Sequence, residues 1–101
     1  MIIYNVTINI EDDARENWVA WMKETHIPQV MATGFFTAFS FNKLLSRQED
    51  ETGTTYVIQY TAPSMQHYEE YQANHAPALQ AETKRLFEGK FVAFRTLMEK
   101  A

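Results

Sequence analysis

The sequence contains no cysteine, and only three glycines and three prolines among its 101 residues. Without cysteine the chain can form no disulfide, thiolate nucleophile or zinc–thiolate site. Three scattered glycines cannot build the loops that cradle phosphates or dinucleotides, and no nucleophile elbow is present. Enzyme classes that depend on these devices are therefore excluded.

Basic residues are also scarce, because nine Lys and Arg against thirteen Asp and Glu give a net charge of −4. Nucleic acids bind clustered cations, and here only Lys84 and Arg85 are adjacent. The sequence shows neither the pattern of a signal peptide nor an apolar run near the roughly 18 residues of a membrane span. We therefore expect a cytoplasmic protein with no nucleic-acid partner and no membrane partner.

Apolar residues are plentiful, at 46% of the chain, and 14% of the residues are aromatic. The length predicts one domain over residues 1–101. Two His-x-Pro triplets, His26-Ile27-Pro28 and His75-Ala76-Pro77, lie 49 positions apart. Each interrupts a helical pattern that follows a predicted strand, which indicates a β-α-β unit used twice.

Periodicity supports this arrangement. Ile2 to Ile10 alternates as a half-buried strand, and Trp18, Trp21 and Met22 follow with helical spacing. Because a residue before proline is driven out of the helical region, we expect a break at His26-Ile27 and a helix end at Gly34.

The remaining pattern predicts two further strands, a second broken helix and a last strand. The order is β-α-β-β-α-β, a ferredoxin-like α+β fold in which helices cover one face of a four-stranded antiparallel sheet. The predicted bounds are a strand over 35–46, a polar loop over 47–53 and a strand over 54–61. The next helix begins at Pro63-Ser64 with Ser64 as N-cap, and a further helix begins at Pro77, with Asn74 as a possible N-cap, and ends at Gly89. The last strand covers 91–98.

Both faces of the second and fourth strands carry large apolar side chains, including Phe36, Phe39, Phe41 and Phe94. An open sheet face of this kind is abnormal for a monomer. We therefore expect a homodimer that packs through the open sheet face. The alternative is that the long strands curl over a small core.

The layout, the helix Trp18-Val19-Ala20-Trp21-Met22, the His26-Ile27-Pro28 triplet and the strand entry Gly34-Phe35-Phe36 resemble the dimeric alpha-beta barrel superfamily. Within it, they resemble a bacterial family of unknown function. The resemblance covers the whole chain. It implies a range of activities, since the superfamily includes cofactor-free monooxygenases, haem-degrading enzymes, dehydratases, isomerases and members without known catalysis. It also implies a cleft between helices and sheet for a small, often aromatic ligand, with His26 at the matching histidine position.

His26 is the candidate catalytic residue. An imidazole beside an apolar cleft can act as a general base or hydrogen-bond donor, because its ordinary pKa is near 6.5. The alternative is that His26 satisfies free backbone carbonyls at the helix break. His75 could do the corresponding work in the second half or simply mark a helix restart, and His67 is expected to be exposed. No pair of histidines has metal-ligand spacing, so we expect no metal and no cofactor.

The candidate ligand-binding residues are Trp18, Met22, Tyr56, His75 and Arg95. Trp18 could stack on a flat ligand, although aromatics at helical spacing also form cores. Tyr56 could place a hydroxyl in the cleft or be a buried structural tyrosine. Arg95 lies in an apolar strand and should be paired with an anionic ligand or a carboxylate across the dimer, unless it reaches solvent.

Three functions remain open at this point. The first is a small-ligand-binding protein, with a hydrophobic or aromatic ligand near His26. The second is a cofactor-independent monooxygenase or isomerase with His26 as general base. The third is a structural homodimer or interaction module.

Overall fold

The computed structural model describes residues 1–46 and 50–101. The predicted ferredoxin-like α+β fold is confirmed: the four strands form one antiparallel sheet in the order β2-β3-β1-β4. The elements are β1 (Ile2–Ile10), α1 (Arg15–Trp21), a π-helical turn (Met22–His26), α2 (Ile27–Ala32), β2 (Ala38–Lys43), β3 (Thr54–Ala62), α3 (Met65–Asn74), α4 (Ala76–Leu86) and β4 (Phe91–Glu99).

The core lies between the helices and one face of the sheet. Alternate residues of β1 and β3 point into it, because side chains of a strand alternate between the two faces. Trp18 and Met22 from the first helical segment and Phe36 from the loop before β2 complete it. Its buried strand residues are Tyr4, Val6, Ile8, Ile10, Tyr56, Ile58, Tyr60 and Ala62.

The first His-x-Pro triplet does not break the helix, and here the prediction was wrong. His26 and Ile27 both keep helical backbone angles, and the Ile27 N–H donates to the Met22 carbonyl, five residues back. Pro28 has no N–H, so an ordinary helix would leave one carbonyl of this turn without its donor. The wider π turn absorbs that defect without ending the helix, and such turns are frequent at functional sites.

The second triplet does separate two helices. α3 ends at Asn74 and α4 begins at Ala76, with His75 between them at φ −124°. Asn74 is the last residue of α3, so the predicted N-cap of α4 at Asn74 is wrong. Ser64 does cap α3, because its hydroxyl accepts a hydrogen bond from the His67 N–H at 3.3 Å. The two triplets are therefore not equivalent in structure.

β2 is shorter than predicted, and its apolar residues lie elsewhere. Phe36 precedes the strand and is buried in the core, while Phe39 and Phe41 pair with Tyr60 and Ile58 on the helix-facing side. The open face of β2 carries Ala38, Ser40 and Asn42 instead. The predicted loop over 47–53 lies partly outside the described residues, because 47–49 are not described.

The open face of the sheet is apolar mainly along its β4 edge. Phe94 and Val92 are 69% and 58% exposed there, and Met98 is 41% exposed. The middle of this face is polar, since Gln59 donates to the Asn5 side chain, which in turn donates to Thr7. The apolar surface is therefore narrower than the sequence suggested, because β2 does not contribute to it.

Candidate functional site

A cleft opens between the helices and the β4 edge of the sheet. Its inner chamber has a volume of about 40 Å³ and lies beneath the π-helical turn. An outer groove of about 340 Å³ runs between α4 and β4. Gln80, Phe91 and Arg95 line both spaces, so we treat the chamber and the groove as one cleft.

The inner chamber has a mixed lining. Its apolar wall comes from the core, including Met22, Val30 and Leu79. Its polar groups come from the π turn, from the helices α3 and α4, and from the strands β1, β3 and β4. The polar lining residues are Tyr4, His26, Tyr60, Tyr71, Gln80, Thr83 and Arg95.

His26 is the last residue of the π-helical turn and is half-buried at the chamber. Its Nδ1 atom is inaccessible to solvent and has no hydrogen-bond partner among residues 1–46 and 50–101. The indole of Trp21 stacks on the imidazole, with ring centroids 4.9 Å apart and planes inclined by 29°. His26 therefore does not satisfy loose backbone carbonyls through Nδ1, which was the alternative to a role in the cleft.

Burial lowers the pKa of His26 from 6.5 to about 4, and the positive charge of Arg95 lowers it further in the same direction. The imidazole is consequently neutral at pH 7. It has one ring nitrogen that can accept a proton or hydrogen bond and one that can donate, according to the tautomer.

Arg95 lies on the helix-facing side of β4, opposite Val6 of β1. Its side chain is exposed at the mouth of the cleft, where its positive charge acts on the Tyr4 hydroxyl. No described carboxylate forms an ion pair with Arg95; the salt bridges of the described chain join Lys90 to Glu11 and Asp13. The apolar neighbours that the sequence predicted, Ala93 and Leu97, lie beside Arg95 on the same face of β4.

Tyrosines form the floor of the cleft. The Tyr4 ring lies 5.1 Å from Tyr68 and 6.2 Å from both Tyr60 and Tyr71. Burial raises the pKa of the Tyr60 and Tyr71 hydroxyls well above their usual value near 10. These groups remain protonated at pH 7 and can donate hydrogen bonds.

The structure separates the sequence-predicted residues into two groups. His26, Met22 and Arg95 meet in the cleft. Trp18 is fully buried elsewhere in the core, 5.2 Å from the Tyr56 ring, and both also contact Phe41. We therefore leave Trp18 and Tyr56 out of the site.

His75 also lies outside the lining of the chamber. Its ring is 5.5 Å from Phe35 and 6.4 Å from Tyr71, at the junction of α3 and α4. Its position agrees with the restart of a helix, and we leave it out of the site as well.

Tyr71, Gln80 and Thr83 line the chamber, but sequence reasoning did not select them. A signal was present in α4, where Ala76, Leu79, Gln80 and Thr83 follow the i, i+3, i+4, i+7 spacing of a buried helix face. Polar residues within such an apolar stripe indicate a lined cavity, since a buried polar group needs a partner.

The described part of the chain offers no cluster of three or more His, Cys, Asp or Glu side chains for a metal ion. None of the described helices combines the length and apolar composition that crossing a membrane requires. The described lining of the inner chamber instead presents one neutral imidazole, one guanidinium and several hydroxyl or amide groups. Such a set can bind and polarise an oxygen atom of a small molecule.

Comparison with solved structures confirms the fold. An EthD (ethyl tert-butyl ether) family protein from Bacillus halodurans aligns over 100% of both chains with a TM-score of 0.73 and 7% identity. A protein from Arabidopsis thaliana aligns over 100% of this chain and 96% of its own, with a TM-score of 0.73 and 17% identity. SnoaB, a cofactor-independent oxygenase from Streptomyces nogalater, aligns over 98% and 91% with a TM-score of 0.65 and 10% identity.

These proteins have the dimeric alpha-beta barrel fold that the sequence resembled, and identities this low carry the fold alone. None of the curated proteins matches the sequence. The family comparison is specific, however, because one family matches residues 1–101. The chain belongs to the family DUF4286, a domain of unknown function.

Proposed function

We propose that the protein binds a small, largely apolar ligand in the cleft between α4 and β4, with one polar group of the ligand directed towards His26. The observation that carries this proposal is the buried Nδ1 of His26, which has no hydrogen-bond partner in the part of the chain that the structure describes. A buried polar atom without a partner costs free energy, and a ligand oxygen would remove that cost.

Size decides how such a ligand would lie. The inner chamber of about 40 Å³ holds no more than a water molecule or one small group. The outer groove, at about 340 Å³, is within the range of roughly 300–1,000 Å³ that is usual for ligand sites. The apolar body of the ligand therefore occupies the groove, and its polar group enters the chamber past Arg95.

Blocking the groove tests this proposal. Ala93 is half-buried in the groove wall, and the Ala93→Trp variant should fill the space that the ligand occupies. Ala81→Trp adds the same side chain at an exposed position of α4 and serves as the control. We expect the uncharged aromatic compound 2-naphthamide to bind the unmodified protein and Ala81→Trp in calorimetry, but not Ala93→Trp. Equal binding to both variants, or no binding at all, would contradict the proposal and favour a purely structural role.

A second candidate is a cofactor-independent enzyme, such as a monooxygenase or isomerase, in which His26 is the general base. The neutral imidazole with an unpartnered nitrogen favours it, and SnoaB provides a precedent for oxygenase activity on this fold. We rank it second because a pKa of about 4 makes His26 a weak base at neutral pH.

Proton exchange distinguishes the two candidates. The ketone 2-tetralone has acidic protons next to its carbonyl, and a positioned base would exchange them with deuterium in D₂O. Catalysed exchange that His26→Gln abolishes and His67→Gln retains would favour the enzyme. No exchange above that of free imidazole would favour binding without catalysis.

The proposal also includes a single domain over residues 1–101, a cytoplasmic location and a homodimer formed through the open sheet face. Phe94 and Val92 support the homodimer, because a monomer would leave both of them in water on the β4 edge. The helix-facing cleft lies on the other side of the sheet, so dimer formation leaves it accessible.

A further inference from the structure

We infer that the ligand of the cleft is an anion: a ring compound of one or two rings whose acidic oxygen is bound between Arg95 and His26. This inference rests on the proposed binding function and adds the chemical class of the ligand. Its basis is an unbalanced charge at the entrance to the chamber.

Arg95 is the source of that charge. The residues beside it on the same face of β4 are Ala93 and Leu97, and Val6 lies opposite. Its charge acts on the described groups His26, Tyr4, Tyr68 and Tyr71. None of these carries a negative charge at pH 7, and no acidic residue is among the described residues that line the chamber.

The groove outside the chamber does not supply the missing anion. Lys84 and Glu88 line it together, and their charges offset each other. Glu88 lies four residues after Lys84 on the chain, beyond the end of α4 at Leu86, and forms no ion pair with Arg95. The described lining of the cleft therefore retains a net positive charge, although the whole chain carries −4.

A carboxylate of a second subunit does not fit the geometry. Val92 and Phe94 face the open side of the sheet, where a partner would pack, whereas Arg95 faces the helices. A partner on the open face would consequently be separated from Arg95 by the thickness of the sheet. A small anion in the groove is left as the partner that reaches the guanidinium.

Several hydrogen-bond donors converge on the same place. The Arg95 guanidinium, the Gln80 amide and the Tyr4 hydroxyl line the same chamber as the His26 Nδ1, which has no hydrogen-bond partner among the described residues. A carboxylate or enolate oxygen accepts hydrogen bonds from such groups, and charge-assisted bonds are about twice as strong as neutral ones. The walls formed by Phe91 and Ala93 suit the apolar ring.

A matched pair of compounds tests the inference. The anion 2-naphthoate and the uncharged 2-naphthamide share the same ring system and differ in the charge of the polar group. We expect the unmodified protein to bind 2-naphthoate about tenfold to a hundredfold more tightly in calorimetry, which is the usual range for a hydrogen bond to a charged group. Arg95→Gln should remove this preference, and Arg95→Lys should restore part of it. Lys43→Gln changes the net charge equally at the opposite edge of the sheet and should retain it.

The outcomes separate the inference from the proposed function. Equal affinity for the two compounds, or a preference that survives in Arg95→Gln, would overturn the inference, whereas groove-dependent binding of 2-naphthamide would still support the binding function. Binding of neither compound would overturn both. Thermal unfolding of the Arg95 variants shows whether they are folded, and Arg95→Lys provides the comparison if Arg95→Gln is not.

Discussion

Replacing His26 by Gln should remove a specific loss of stability at acidic pH. At pH 7.5 the imidazole is neutral in the folded and the unfolded chain. As the pH falls through 6.5 the unfolded chain binds a proton at His26, while the folded chain does not do so until the pH approaches about 4. The unfolded state therefore gains stability relative to the folded state between these two values.

The structure sets the size of this effect. A fall in pKa from 6.5 to about 4 corresponds to about 3 kcal/mol once both states are protonated. About 2.5 kcal/mol of this is lost between pH 7.5 and pH 4.5. The charged and titratable groups that line the chamber with His26 are Arg95 of β4 and the tyrosines of β1, β3 and α3, so no described carboxylate in the chamber opposes the effect.

Urea denaturation of the original protein and His26→Gln at pH 7.5 and pH 4.5 measures it. Both proteins need the same concentration, because dimer formation would make stability depend on concentration. We expect the free energy of unfolding to fall by about 2.5 kcal/mol more in the original protein than in the variant. The difference between the two proteins at pH 7.5 gives the effect of the substitution on packing, and it is subtracted from their difference at pH 4.5. An equal fall in both proteins, or a His26 imidazole that titrates near pH 6.5 by NMR, would refute the reasoning.

Three further predictions concern the fold. A Cβ atom at Gly53 would lie 2.7 Å from the end of β1, and φ there is +74°. Gly53→Ala should therefore lower the free energy of unfolding by about 1–3 kcal/mol, as measured by denaturation. The loss should exceed that of Gly34→Ala, because a Cβ atom at Gly34 would meet nothing within 4 Å. Ser64→Ala should lower the unfolding free energy by about 1 kcal/mol, because α3 loses its N-cap, and an unchanged midpoint would contradict that role. Phe94→Glu should give monomers in sedimentation velocity while Leu86→Glu on α4 does not; two variants with the same mass would argue against the open-face dimer.

Much of the fold could be predicted because its signals are local. The alternation of Ile2 to Ile10 encodes β1 directly, and the Ser64 cap marks the start of α3. The π-helical turn could not be predicted in this way. Pro28 shows in the sequence that one backbone hydrogen bond of the helix is missing. Whether the helix then ends or widens into a π turn depends on packing around the buried Met22 and Ile27.

The site was predictable in part for the same reason. His26 and Arg95 stand out in sequence, one by its proline and one as a charge in an apolar strand. Their association depends on the placement of the π turn over the edge strand β4. Gln80 joins them from α4, which is remote in sequence, and no local pattern specifies that meeting.

By itself, the amino-acid sequence determined the order of the elements and the absence of thiol and phosphate-loop chemistry. It also determined which residues are capable of acid–base or hydrogen-bonding chemistry. Only the tertiary structure decided which of those residues share a cavity. The sequence selects both Trp18 and His26 as candidate site residues. In the structure, Trp18 is buried in the core, whereas His26 lines the cleft. The physical reason is that solvent exposure, pKa and the lack of a partner depend on neighbours that the chain supplies from distant segments.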